Sequence, residues 1–279
     1  MKGKIIKNIS NDYTVETQDG KKYICKPRGK FRINNLIPLV GDIVEFDEKN
    51  NYLTDILPRK NELIRPSIAN IDIAVIITSV KNPNFDTALL DKTITIISYN
   101  KIEPIIYFTK LDLLNNEELQ EINKYLEYYQ QIGYIVSTNP DDLIHKIQGK
   151  TVVFTGQSGA GKSTLLNKLN PNLKLQTNEI SYALGRGKHT TRHTELFDVA
   201  GALIADTPGF SKIDFFNMTS IDIRDNMKEM FDNLDKCKYK DCLHNKEDNC
   251  QIIKLVNEGK ILKSRYKNYI NFISEEKHD

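Results

Sequence analysis

No stretch of the 279-residue chain approaches eighteen consecutive apolar residues, which excludes a transmembrane helix. The N-terminus, Met1-Lys-Gly-Lys-Ile-Ile-Lys-Asn8, lacks the apolar run of a secretory leader, so the expected compartment is the cytosol, with no membrane partner. Cysteine is scarce. Of four residues, Cys25 stands alone while Cys237, Cys242 and Cys250 fall within fourteen positions, a clustering that argues for metal before disulfide in a cytosolic chain. Net charge is small at +2 and becomes informative only when divided along the chain. Residues 1–66 hold 13 Lys and Arg against 9 Asp and Glu, residues 67–235 hold 16 against 21, and residues 236–279 hold 10 against 7. Basic ends therefore flank an acidic middle. That asymmetry suits ends that meet a polyanion, and it equally suits a solvated surface. With 39% hydrophobic and 27% charged residues, the chain is a globular one, long enough for two or three modest domains.

What is present is organised around Gly156-Gln157-Ser158-Gly159-Ala160-Gly161-Lys162-Ser163, which fits G-x-x-x-x-G-K-[ST] at every specified position. Glycines at 156, 159 and 161 let the backbone turn tightly and aim successive N–H groups at phosphate oxygens. Lys162 supplies a point charge for the β- and γ-phosphates. Ser163 supplies a hydroxyl for Mg²⁺, and Thr164 follows it at the start of a helix whose dipole favours anions. Lys150–Thr155 reads as a buried strand before the loop and Ser163–Leu169 as a helix after it.

The first sixty residues alternate short β-type runs with turn signals: Gly3–Asn8, Tyr13–Thr17, Lys22–Lys26, Asp42–Phe46 and Tyr52–Leu57. Five strands in that length imply a small closed barrel of the OB type, a fold that often binds nucleic acid on one face. Lys26, Arg28, Lys30 and Arg32, near Phe31, form its most basic loop, either an exposed connection or an RNA contact. Pro58–Pro66 reads as a link. Beyond it, Ile71–Val80 is a continuous apolar run of the kind found in strands buried on both faces. Helical and strand patterns then alternate through Asp86–Tyr99, Glu103–Thr109, Asn116–Gln131, Tyr134–Ser137 and Pro140–Ile147, which predicts a doubly wound α/β domain with a parallel sheet.

Thr109-Lys110-Leu111-Asp112 follows one of those buried strands and matches [NT]-K-x-D. A carboxylate at Asp112 can accept both the N1–H and the exocyclic amine of guanine, whereas adenine has no matching donors. Lys110 would lay its stem along the base or ribose, and Ser137 ends the next strand where a third contact is expected. If Asp112 were merely a cap, the chain would read as an ATPase or small-molecule kinase. Gly185–His193 is polar, glycine-bearing and hydroxyl-rich, as a switch segment is, and Thr191 rather than Thr190 is the expected Mg²⁺ ligand. A hairpin around Ala200-Gly201 leads into Asp206-Thr-Pro-Gly209, the D-x-x-G motif, whose aspartate holds Mg²⁺ through water and whose glycine senses the γ-phosphate. The base motif thus precedes the phosphate loop and D-x-x-G ends the series, a circular permutation. Near the C-terminus, Cys237-x4-Cys242-x-His244-x5-Cys250 offers three thiolates and an imidazole for one tetrahedral, closed and therefore structural Zn²⁺ in a mostly helical module. Lys236, Lys238, Lys240 and Lys246 surround those ligands, and Lys260–Lys267, with Tyr266 and Tyr269, continues the basic dressing.

These strings, together with Gly41-Asp42, Pro58-Arg59-Lys60-Asn61 and Gly185-Arg-Gly-Lys-His-Thr-Thr191, resemble the circularly permuted GTPases of the RsgA/YjeQ type over nearly the whole chain. The resemblance implies GTP hydrolysis with Mg²⁺, a role in maturation of the 30S ribosomal subunit, contact with its rRNA, and a part for His189 in hydrolysis. Lys162, His189, Thr191, Asp206 and Gly209 are the expected catalytic set. Phe210 stands where many GTPases carry a water-orienting glutamine, which leaves a GTP-dependent RNA-binding switch with little hydrolysis as the alternative. The expected domains are residues 1–63, 64–215 and 216–279, in a monomer that exchanges GTP and GDP.

Overall fold

The computed structural model describes residues 1–29, 31, 36–64, 67–170, 195–205 and 214–275. Strands β1 (Lys2–Ile9), β2 (Asp12–Glu16), β3 (Lys22–Pro27), β4 (Ile43–Asp47) and β5 (Tyr52–Ile56) close into a barrel of order β1-β2-β3-β5-β4. The β3–β5 pairing is parallel and the other pairings are antiparallel, the connectivity of an OB barrel. Alternate positions fill the interior, Ile5, Val15, Cys25, Val44 and Leu53 among them, all fully buried. Strand β1 departs from strict alternation. Its register with β2 shifts between Ile5 and Lys7, a bulge that lets both Ile5 and Ile6 be buried. From this strand Lys4 Nζ donates to Thr151 Oγ1 at 2.8 Å, and Lys7 forms an antiparallel bridge and a 2.8 Å ion pair with Glu195.

The Pro58–Pro66 segment is more than a link. Arg59 donates from Nε and Nη2 to the fully buried Asp42 carboxylate at 2.7 and 2.8 Å, and from Nη2 to Ile37 O. The Asp42 hydrogen bond leads the causes that hold the Arg59 guanidinium above its ordinary value. Gly41, at φ +93°, lies so close to Ala69 that an added Cβ would stand 2.0 Å from the Ala69 carbonyl oxygen, so no other residue fits. Asn61 exchanges two hydrogen bonds with the Ile71 backbone, and β6 (Glu62–Ile64) pairs with β7 (Ser67–Ala69). Four scattered sequence signals, Gly41, Asp42, Arg59 and Asn61, are thus one local lock.

A six-stranded sheet of order β10-β9-β8-β11-β13-β12 combines β8 (Ile73–Ser79), β9 (Glu103–Thr109), β10 (Ile135–Ser137), β11 (Thr151–Thr155), β12 (Leu196–Val199) and β13 (Ala202–Ala205). Pairs β9–β10 and β11–β13 are parallel, while β12 returns antiparallel on β13 as the hairpin around Ala200-Gly201. The helices attached to these strands are α1 (Thr87–Tyr99), α2 (Asn116–Gln131), α3 (Pro140–Ile147) and α4 (Lys162–Leu169). A barrel followed by an α/β sheet is the expected architecture.

The C-terminal module comprises α5 (Ser220–Asp225), α6 (Lys228–Phe231), α7 (Gln251–Asn257) and α8 (Lys263–Glu275) around Ile223, Met227, Met230, Ile252, Tyr269 and Phe272. Arg265, read from sequence as part of a basic surface, is instead 1% exposed. Its Nε donates to Glu229 Oε1 at 2.6 Å and its Nη1 to Asp91 Oδ1 at 2.5 Å. Asp91, fully buried in α1, also accepts from Tyr129 and Asn268, and Glu229 accepts from Tyr128. Burial works against the Arg265 charge, yet Asp91 and Glu229 outweigh it and hold the guanidinium well above its ordinary value. No described helix is long and apolar enough to cross a membrane.

Candidate nucleotide site and metal centre

Strand β11 is buried at every position and delivers the chain into the phosphate loop. Gly156, Gly159 and Gly161 adopt φ values of 142°, 77° and 101°, a run that side-chain-bearing residues rarely follow. At Gly159 an added Cβ would meet only Pro83 Cδ, at 3.8 Å, so conformation rather than space demands glycine there. Gly161, in the left-handed region, caps α4 without a side-chain hydrogen bond, and a helix start of this kind suits an anion. Lys162 Nζ donates to Gly156 O at 2.7 Å, folding the ammonium back over the loop. Burial lowers its affinity for a proton, the direction a nearby phosphate would reverse. Ser163 and Ala160 are buried, Gly156, Gln157, Gly161 and Lys162 half-buried, and Ser158, Gly159 and Thr164 exposed.

The base motif sits at the end of β9. Thr109 Oγ1 donates to Ala160 O at 2.7 Å, so this threonine pins the tip of the phosphate loop instead of pointing to a base. Lys110 holds a left-handed φ of 62°, and its ammonium bonds Asn82 O. Leu111 and Asp112 lie in a 3₁₀ turn, Leu111–Leu113, with Asp112 exposed. Ser137, at the end of β10, is buried. A buried Phe31 is unavailable for stacking beside Lys26 and Arg28, which are exposed. Thr191, His189, Asp206, Gly209 and Phe210, with Lys30 and Arg32, lie outside the described residues.

Four ligand atoms of Cys237, Cys242, His244 and Cys250 lie within 4.8 Å of one another. His244 Nδ1 stands 3.5 Å from Cys237 Sγ and 3.4 Å from Cys250 Sγ, while Nε2 is 3.1 Å from Met230 O. With its proton on Nε2 donated to that carbonyl, the ring presents Nδ1 as a lone pair, the tautomer a metal needs. The surrounding loop is braced from outside. Glu247 accepts from the Leu243, Asn245 and Lys246 amides, Tyr266 OH donates to His244 O, and Tyr269 OH donates to Leu243 O. The two tyrosines therefore support the ligand loop, whereas Lys236, Lys238, Lys240 and Lys246 are exposed. Burial pushes the Cys242 thiol up to about 12 and lowers the His244 imidazole, environments that a divalent cation compensates. Three sulfurs and one nitrogen with no further position fit a closed zinc site.

Family models for the RsgA N-terminal domain and the RsgA GTPase match residues 2–54 and 56–216. The chain belongs to the RsgA GTPase family. It is 44% identical over 283 residues to a small ribosomal subunit biogenesis GTPase RsgA of Enterococcus faecalis, covering 99% of this chain and 95% of that one. The RsgA protein of Bacillus subtilis is 45% identical over 287 residues, with 98% and 96% covered. Among solved structures, the circularly permuted GTPase YloQ matches with a TM-score of 0.84 at 38% identity, over 99% of this chain and 94% of that one. YjeQ from Thermotoga maritima matches with a TM-score of 0.87 at 32% identity, over 100% and 99%. This RsgA-family chain is accordingly a GTPase, and the motif order read from its sequence is that of a circularly permuted one.

Two contacts of this site have no direct sign in the motifs, the Thr109–Ala160 bond and the Asn82 carbonyl under Lys110, and neither does the charged cluster at Arg265 elsewhere in the chain. The one sequence signal for the first two was the Asn82-Pro83-Asn84-Phe85 turn between β8 and α1.

Proposed function

We propose that this GTPase acts in late maturation of the small ribosomal subunit, binding the 30S particle through its rRNA and hydrolysing GTP faster when bound. The observation that carries the reading is whole-chain likeness to proteins named for that role, with barrel, phosphate loop and metal centre all present. In this reading residues 1–63 bind RNA, 64–215 turn over GTP and 216–279 form the zinc module, in a cytoplasmic monomer. The phosphate-loop amides and Lys162 hold the β- and γ-phosphates, Asp112 reads guanine with Lys110 and Ser137 alongside, and water attacks the γ-phosphate in line. Mg²⁺, when bound, neutralises charge on the β- and γ-oxygens. Ser163, at the first turn of α4, would hold it together with Thr191, and Asp206 would do so through water. His189 orients the attacking water in place of the glutamine that Phe210 replaces.

Turnover of GTP is expected to rise by about tenfold or more when 30S subunits are added, since a partner that positions catalytic groups supplies transition-state contacts. His189→Ala should abolish that rise while leaving nucleotide affinity near wild type. Equal turnover with and without the particles removes the ribosomal assignment.

Asp112→Asn is expected to weaken GTP binding by roughly ten- to a hundredfold and to improve xanthosine triphosphate by a similar factor, because one charged hydrogen-bond set is exchanged for its complement. Competition of the two nucleotides against a fluorescent GDP measures this. An unchanged preference would show that Asp112 is a cap and that base reading lies elsewhere.

A further inference from the structure

The 3₁₀ turn that carries Asp112 is short and weakly self-supported. Its closing bonds are Leu113 N to Lys110 O at 3.1 Å and Leu114 N to Leu111 O at 3.2 Å, and it begins on a non-glycine residue, Lys110, in the left-handed region. Such a turn is held by what surrounds it. Lys81, just beyond β8, reaches across to it. Its Nζ donates to Leu113 O at 3.3 Å and to both carboxylate oxygens of Glu118 at 2.9 Å. Glu118 is the far half of the capping box that opens α2. Its Oε2 accepts from Asn115 N, and its own amide donates to Asn115 Oδ1, each at 2.9 Å. One ammonium thereby spans the end of the turn and the start of the helix after it.

The backbone of the same loop grips the turn's other end. Ser79 Oγ donates to Lys81 O at 2.8 Å, and the next carbonyl, Asn82 O, accepts the Lys110 ammonium. Lys81 and Glu118 are each more than a third exposed, so their pairing contributes little to global stability. A lysine committed to three acceptors at once nevertheless fixes geometry, and geometry is what a bidentate carboxylate needs to meet two donors on one base edge.

We infer that Lys81 is a positioning residue for guanine recognition: by tying the Leu111–Leu113 turn to the α2 capping box, it orients Asp112 toward the base. This rests on the reading of Asp112 as the guanine contact. The motif pattern itself ends at Asp112, so this residue lies outside it, 31 positions upstream in sequence.

The test compares dissociation of fluorescent GDP and of fluorescent inosine diphosphate, which lacks the exocyclic amine, from the full-length protein. Wild type should release the inosine nucleotide faster. Lys81→Met should release GDP about three- to fivefold faster, the scale of an exposed charged contact, and should narrow the gap between the two nucleotides. Lys81→Arg should restore both. Glu118→Gln, which keeps an acceptor for the Asn115 amide, should shift both readouts in the same direction by less, and the double variant should be no worse than Lys81→Met. A structural role alone would lower the melting temperature and leave the GDP-to-inosine ratio at its wild-type value, and that ratio unchanged in Lys81→Met overturns the inference. Should wild type fail to distinguish the two nucleotides, the Asp112 reading falls first and the role of Lys81 falls with it.

Discussion

Arg265→Met is expected to destabilise the chain by about 3–5 kcal/mol, the cost of removing one member of a buried ion cluster and leaving its partners charged. Asp91 and Glu229 would then share an interior from which the only described guanidinium touching both has been removed. Tyr129 and Asn268 would still donate to Asp91, and Tyr128 to Glu229, which keeps the loss from being larger. Urea unfolding measures it conveniently through tyrosine emission, because the chain has 13 tyrosines and no tryptophan to mask them. A companion with Asp91 and Glu229 also made leucine and methionine should recover part of the loss, since an apolar cluster of similar volume has no charge to strand. A shift below about 1 kcal/mol for the single variant would mean that water reaches these groups and that the cluster is not a dry one.

Zinc removal is expected to have a still larger local effect. A strong chelator at neutral pH, or Cys250→Ser, should unfold residues 214–275, because structural zinc in modules of this size contributes on the order of 10 kcal/mol or more of folding free energy. Cys242 and Cys250 belong to the same apolar cluster as Ile223, Met230 and Ile252, and the His244 ring is anchored to Met230 O, so losing the ion unpacks the module's centre. The readouts are one zinc per chain by metal analysis, loss of helical circular dichroism on chelation, and new proteolytic cuts within that span. Retention of full helix content with no bound metal would refute a structural ion. The two experiments should interact: Glu229 and Arg265 both belong to the module, so chelation should also strand Asp91 in α1 and loosen the helix that follows the Asn82 turn.

The left-handed glycines of the phosphate loop and the Cys237, Cys242, His244 and Cys250 cluster were legible because each is a short string in which chemistry dictates residue and spacing together. The barrel was legible from alternation: Ile5, Val15, Val44 and Leu53 recur inside with period two. What escaped was the product of long-range pairing. Asp91 and Arg265 are 174 residues apart, and a charged side chain is read as surface until its partner is known. Arg265 also sat among lysines that really are exposed, which hid it further. Lys81 and Asn82 escaped for a related reason: one acts through its ammonium on a distant turn and the other through a backbone carbonyl, which no residue type announces. The β6–β7 pairing was masked by Pro58 before it and Pro66 between its strands, which suggested a plain linker.

Lys7, just past the bulge in β1, has a further role at the edge of the α/β sheet. Among the described residues β12 is the last strand in its sheet's order, and Glu195, just before it, is met by Lys7 of the barrel. An open strand flank is a template on which a second copy can add its own strand, and a lysine pairing there is a common way to forestall it. Lys7 thus sets a charge pair where that flank begins, a feature of the kind that disfavours strand addition.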